Sequence, residues 1–259
     1  MNKARASFGR VFWGVLLIVA LGFGGFLSYD QWQSSKLEGP EAPVSTPITD
    51  VADANDPIPT PVTDSGALPE QLNIEVPFYT QAPTGNWDYP WQDACEEASV
   101  ALVANVYLNK NWTRDEFNAE LLALVDWQGK NDMDYHDTTV AETAEFMKAN
   151  YGLESIVHEN PTFEDIQNIL AQGHLIIGGF AGKQLYNPNF TNGGPTYHML
   201  VIKGYDAAKQ QIVTNDVGTR NGADYVYTWA MIENALHDWD PADINAGAKL
   251  ILEVLPIEP

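Results

Sequence analysis

The chain contains a single cysteine, Cys95, in surroundings where a thiol can become a nucleophile. It ends a Gly/Pro/Trp-rich run, Gln81-Ala-Pro-Thr-Gly-Asn-Trp-Asp-Tyr-Pro-Trp-Gln-Asp-Ala-Cys95, and a continuous helical pattern follows from Ala98 to Leu108. Unpaired N–H groups and a partial positive charge at a helix N-terminus favour thiolate over thiol. Most lone cysteines are small buried apolar residues instead, so the assignment depends on what accompanies this one. Thiol acyl transfer needs a histidine to take the thiol proton and return it to the leaving group, and a third group to orient the imidazole. His136, His158, His174 and His237 sit in polar or loop-like surroundings. His198 instead opens an apolar run, His198-Met-Leu-Val-Ile-Lys-Gly-Tyr205, directly after the loop Asn192-Gly-Gly-Pro-Thr-Tyr197. The next run ends in Thr214-Asn215-Asp216, so two neighbouring strands can present His198 and Asp216 side by side. An Asp just before Gly218 is also an ordinary turn-former, and that reading stays open.

One feature opposes a reactive thiol. Glu96 and Glu97 follow the cysteine directly, and two anions there would raise its pKa. The oxygen-rich run Asp132-Met-Asp134-Tyr-His136-Asp137 has the composition of a hard-cation loop. It reads better as a solvated loop entering a helix, where acids are favourable; no metal and no cofactor are assigned. No glycine-rich phosphate loop, zinc cysteine pattern or dinucleotide fingerprint is present.

The elements that would position these groups change in texture along the chain. Ile74-Glu-Val76-Pro-Phe78 alternates as a short strand. Helices follow: the one after Cys95, one capped by Thr113 and Glu116, one starting at Thr138 or Thr139, and one capped by Thr162. Beyond Gly173, residues 175–180, 198–205, 211–216, 225–228 and 249–254 read as strands, with 206–209 as a hairpin turn and a short helix at 229–236. Helices first and strands later, without βαβ alternation, indicates an α+β fold with a largely antiparallel sheet.

Residues 1–30 carry Lys3, Arg5 and Arg10 ahead of an uncharged apolar run from Val11 to Tyr29. At ~1.5 Å per residue that run spans roughly 28 Å, near the ~30 Å of a bilayer core. The basic flank predicts a single-pass signal-anchor with the N-terminus cytoplasmic and the remainder extracytoplasmic; a cleaved signal peptide is the alternative reading. Residues 31–72, rich in Pro, Ser, Thr and acids, read as an extended linker. Residues 73–259 remain as one folded domain. With 35 Asp+Glu against 13 Lys+Arg, the field repels phosphate backbones, so nucleic acid is excluded as a partner.

Four fragments resemble the C39-like cysteine peptidases of the wider papain-like group: Val76-Pro-Phe-Tyr-Thr-Gln81, Cys95-Glu-Glu-Ala-Ser99, Tyr197 to Asp206, and Val213-Thr-Asn-Asp216. The resemblance implies a papain-like α+β fold, with Cys95 as nucleophile, His198 as general base and acid, and Asp216 orienting the imidazole. It implies Gln81 as an oxyanion donor beside the Cys95 N–H, with Gln92 in reserve because the intervening loop is long. Transporter-linked members that cut double-glycine leaders have Cys-Gly-Pro, whereas this chain has Cys95-Glu96, closer to stand-alone domains. The expected activity is hydrolysis of a peptide or protein substrate. A cell-wall peptide amidase or transpeptidase, or a silent peptide-binding domain using Trp87, Tyr89 and Trp91, are the alternatives.

Overall fold

The computed structural model describes residues 42–44 and 68–257, within the unit Pro40–Pro259. Most of the 31–72 linker and the whole 11–29 run lie outside the described residues. Among the described residues no helix is long and apolar enough to cross a membrane. The longest, Arg114–Lys130, has 17 residues with charges along its length, short of the ~20 apolar residues a span requires. This corrects the single-pass membrane placement drawn from the apolar run: no spanning helix belongs to the structure described.

One antiparallel sheet carries the fold. Its strands are β1 (Gln71–Asn73), β2 (Ser155–Glu159), β3 (Leu175–Ala181), β4 (Tyr197–Asp206), β5 (Gln211–Asn215), β6 (Tyr225–Thr228) and β7 (Leu250–Val254). They lie in the order β2-β7-β3-β4-β5-β6, with β1 paired to β4. β4 is buried along its whole length, as a strand with neighbours on both edges must be. β3 pairs with it over 197–202, and β1 takes over from Gly204 to Asp206. Gly204 permits that approach, since a Cβ there would stand 2.3 Å from the Leu72 carbonyl oxygen. The β4–β5 register shifts between Ile202 and Gly204, and the intervening Lys203 sends its buried ammonium to Asn73 and Asp224.

The helices are α1 (Cys95–Tyr107), α2 (Arg114–Lys130), α3 (Val140–Tyr151), α4 (Phe163–Ala171) and α5 (Trp229–Ala235). Thr113 with Glu116, Thr139 with Glu142 and Thr162 with Asp165 each close a capping box at the start of α2, α3 and α4. These bonds satisfy orphan N–H groups that a bare first turn would leave to water. Gly152, in left-handed conformation, ends α3. α1 packs against β4, α2 and α3. It is buried from Cys95 to Asn105, so it is a core helix rather than an amphipathic surface one.

Two elements differ from expectation. The first strand is 71–73, with only Ile74 continuing as a bridge; Pro77 has no N–H to continue a ladder. β2 has no counterpart in the sequence reading. It is a sheet edge on which Ile156 and Val157 are both about half exposed, 46 % each, so the alternation that marks a half-buried strand is absent.

Candidate active site

Cys95 is the first residue of α1 and is buried. Its backbone N–H has no turn before it to bond. The thiol faces two partners: it donates to Glu96 Oε2 at 3.0 Å and accepts from the Met199 N–H at 3.4 Å. The second contact comes from β4, one residue past His198, so strand and helix meet at the sulfur. Burial pushes the Cys95 thiol well up, and the charges of Glu96 and Glu97 push the same way against the Met199 N–H.

His198 follows Tyr197 on β4 and is paired with Phe180 of β3. Val201 faces Asn215 on β5, and continuing that antiparallel count brings position 218 opposite His198. Gly218 indeed lies against the ring. Asp216, just past β5, turns its carboxylate back so that His198 Nε2 lies 2.8 Å from Oδ1. A carboxylate at that distance requires the proton on Nε2, which leaves Nδ1 as the basic nitrogen. Oδ1 also accepts from the Gly218 N–H at 3.0 Å; Oδ2 accepts from Tyr227 Oη at 2.5 Å and Asn187 Nδ2 at 3.0 Å. Burial alone would raise the Asp216 pKa, but the His198 charge and these donors hold it below the usual range. Phe190 stands edge-on to the ring, centroids 5.4 Å apart.

Gln81 is buried, and its N–H ties to the Val217 carbonyl at 3.0 Å. Its side-chain amide donates to the carbonyls of Trp91 and Gln92, both at 2.9 Å, while Oε1 is buried without a partner. Both amide hydrogens therefore brace the turn that precedes Cys95. Gln92 is exposed and donates to Asp93 at 2.9 Å. Cys95, His198, Gln81, Gln92 and Gly218 line one cavity of about 440 Å³. Of the three loop aromatics Trp87 lines it; Tyr89 stacks edge-on to Tyr135, and the Trp91 indole N–H bonds Asn118.

No hydrogen bond joins Cys95 to His198: the thiol is on Glu96 and the imidazole on Asp216. Sequence reasoning missed Asn187, Tyr227 and Phe190 around the pair. Tyr227 had a signal, since it sits on the strand hydrogen-bonded to β5. Asn187 and Phe190 come from an irregular loop and had none.

Residues 73–243 match the model of the Peptidase_C39 like family, and the chain belongs to that family. Its helices and antiparallel sheet form the α+β, papain-like arrangement expected of it. No curated protein matches the chain. A crystal structure of a proposed C39-like peptidase from Bacillus anthracis is 14 % identical, covers 75 % of this chain and 100 % of its own, and aligns with a TM-score of 0.46.

Proposed function

We propose that the domain is a cysteine peptidase that hydrolyses a peptide bond through Cys95, His198 and Asp216, and that peptide or protein is its substrate. The observation that carries the reading is the buried His198–Asp216 pair, whose His198 stands on the wall of the same cavity as Cys95. In this reading the thiol turns from Glu96 and gives its proton to His198 Nδ1. The thiolate then attacks the scissile carbonyl carbon. The oxyanion forms beside the Cys95 N–H, where a fixed donor acts on charge present only in the transition state. Gln81 joins that donor by exchanging one of its two carbonyl bonds. His198 returns the proton to the departing amine, and water, deprotonated by the same nitrogen, cleaves the thioester. Asp216 keeps the imidazolium oriented and stabilised throughout.

The test is incubation with a mixture of fluorogenic peptides, using wild type, Cys95→Ser and His198→Ala. Cleavage that disappears in both variants is expected; cleavage that persists in Cys95→Ser overturns the mechanism. A silent peptide-binding domain is the second reading, favoured by the thiol's contact with Glu96 and its raised pKa. Peptide binding by a protein whose thiol is inert at every pH would establish it.

A further inference from the structure

Glu96 is an unusual first-turn residue. Acids in the first turn of a helix commonly face water, yet this side chain is fully buried with both oxygens engaged. Oε1 accepts from the Thr138 N–H at 3.2 Å, and Oε2 meets the Cys95 thiol at 3.0 Å. Its titratable neighbours are Cys95 and Glu97 on its own helix, Asp137 on the loop entering α3, and Tyr197 on β4, whose hydroxyl bonds Asp238. Each of these four that ionises becomes an anion. Burial first, and the Glu97 charge second, raise the Glu96 carboxyl well above its usual value.

We propose that Glu96 is a positioning residue that sets the aim of the Cys95 thiol by its own protonation state. Ionised, it accepts the thiol hydrogen and holds Cys95 off His198. Neutral, it donates its O–H to the sulfur, and the thiol's own proton passes to His198 Nδ1. The balance is one proton moved from sulfur to nitrogen, with the Glu96 proton retained and no other bond broken. The inference rests on Cys95 being the nucleophile and His198 its base. It reconciles a thiol bonded to an acid with a histidine–aspartate pair assembled alongside, because the two describe the held and released states of one site.

The sign follows from electrostatics. A carboxylate beside the sulfur opposes thiolate formation, whereas a neutral acid or an amide does not. Glu96→Gln keeps the side chain's shape and its ability to accept from Thr138 while abolishing the charge. The experiment is iodoacetamide alkylation of the full chain across pH, in wild type, Glu96→Gln and His198→Ala; with one cysteine in the sequence, incorporation reads Cys95 alone. The ratio of Glu96→Gln to wild-type rates is expected near unity in acid, where Glu96 is neutral. It should climb at least about tenfold as Glu96 ionises, at pH values below the thiol's own titration, where one unit of thiol pKa is tenfold in thiolate. A ratio constant with pH is what a structural role gives, and it overturns the proposal. Indifference of wild-type alkylation to His198→Ala overturns the transfer to His198 and the proposed mechanism with it. The two failures are distinct, because the Glu96 ratio is read independently of His198. Should Glu96→Gln fail to fold, infrared difference spectra of the wild-type protein before and after alkylation replace it. A protonated-carboxyl band that changes when the sulfur is capped is expected, and no carboxyl change at any pH refutes the proposal.

Discussion

Replacing Gly218 by alanine tests whether the position of the His198 ring controls the thiol. A Cβ at 218 would stand 2.8 Å from Cε1 and 3.1 Å from Nε2 of His198, and 3.1 Å from Cε1 of Phe190. Gly218 does not have positive φ, so alanine imposes no backbone strain and the perturbation falls on the ring. Carbon atoms settle about 3.5–4.0 Å apart, so the ring has to retreat by roughly 0.7–1.2 Å. That stretches the 2.8 Å bond to Asp216 toward ~3.5 Å, beyond hydrogen-bonding range. A bond to a charged group contributes about 1.5–3 kcal/mol, equivalent to about ten- to a hundredfold in the imidazolium–thiolate population. The assay is Cys95 alkylation by iodoacetamide near neutrality, with His198→Ala as the floor and urea unfolding in parallel. Gly218→Ala should fall most of the way to that floor while overpacking costs the fold only ~1–3 kcal/mol. An alkylation rate within about twofold of wild type, in a protein that folds normally, would refute the claim that ring placement governs the nucleophile.

Other expectations follow from the same contacts. Tyr227→Phe removes the hydroxyl at 2.5 Å from Asp216 Oδ2 and leaves Asn187 on that oxygen. It should cost about 1.5–3 kcal/mol in urea unfolding and lower alkylation less than Gly218→Ala does. Asp216 has a folded pKa below its unfolded one, so its contribution is complete above pH ~4 and lost as pH falls through the folded value. Asp216→Asn should flatten that acid limb in unfolding curves. Glu97 shows the opposite sign: burial lifts its pKa to about 8, against the Gln128 amide that bonds it. A carboxyl raised on folding makes stability decline as pH rises from its unfolded pKa to about 8. Glu97→Gln should therefore raise Tm at pH ~8 and leave it nearly unchanged at pH ~4, as differential scanning calorimetry can check.

What the sequence disclosed depended on whether a signal is local. A capping box needs only residues three apart: the Thr113–Glu116 box is found where the spacing placed it, and the helix starts read at Thr139 and Thr162 prove to be boxes closed by Glu142 and Asp165. The strands from Leu175 onward announce themselves by continuous apolar runs, because β3 and β4 are buried on both sides. β2 does not, because an edge strand with Ile156 and Val157 half exposed carries no alternation. His198 and Asp216 were legible as neighbours because the hairpin between β4 and β5 fixes their register through a short turn. Asn187 and Phe190 reach the same pair from an irregular loop whose path depends on the whole domain.

Glu96 marks where that logic stops. Its charge, and the sign of its effect on Cys95, can be read from adjacency alone. Its contact with the sulfur cannot, since a first-turn glutamate on a surface helix would turn to water or cap its own N-terminus. Here α1 is enclosed by β4, α2 and α3, so the side chain has no solvent to reach. The donors available to it inside are the thiol and the Thr138 N–H. Burying an ionised carboxylate without partners costs far more than rotating a thiol, so the ionised state of Glu96 draws the sulfur to it. The enclosure that makes α1 a rigid platform for a nucleophile is thus also what sets an acid against it. A shortened side chain, Glu96→Asp, separates these effects. It keeps the charge but withdraws it from the sulfur by a methylene, so alkylation with the acid ionised, below the thiol's own titration, should lie between wild type and Glu96→Gln. A rate at or below wild type would show that the nearby charge, rather than the contact, is what restrains Cys95.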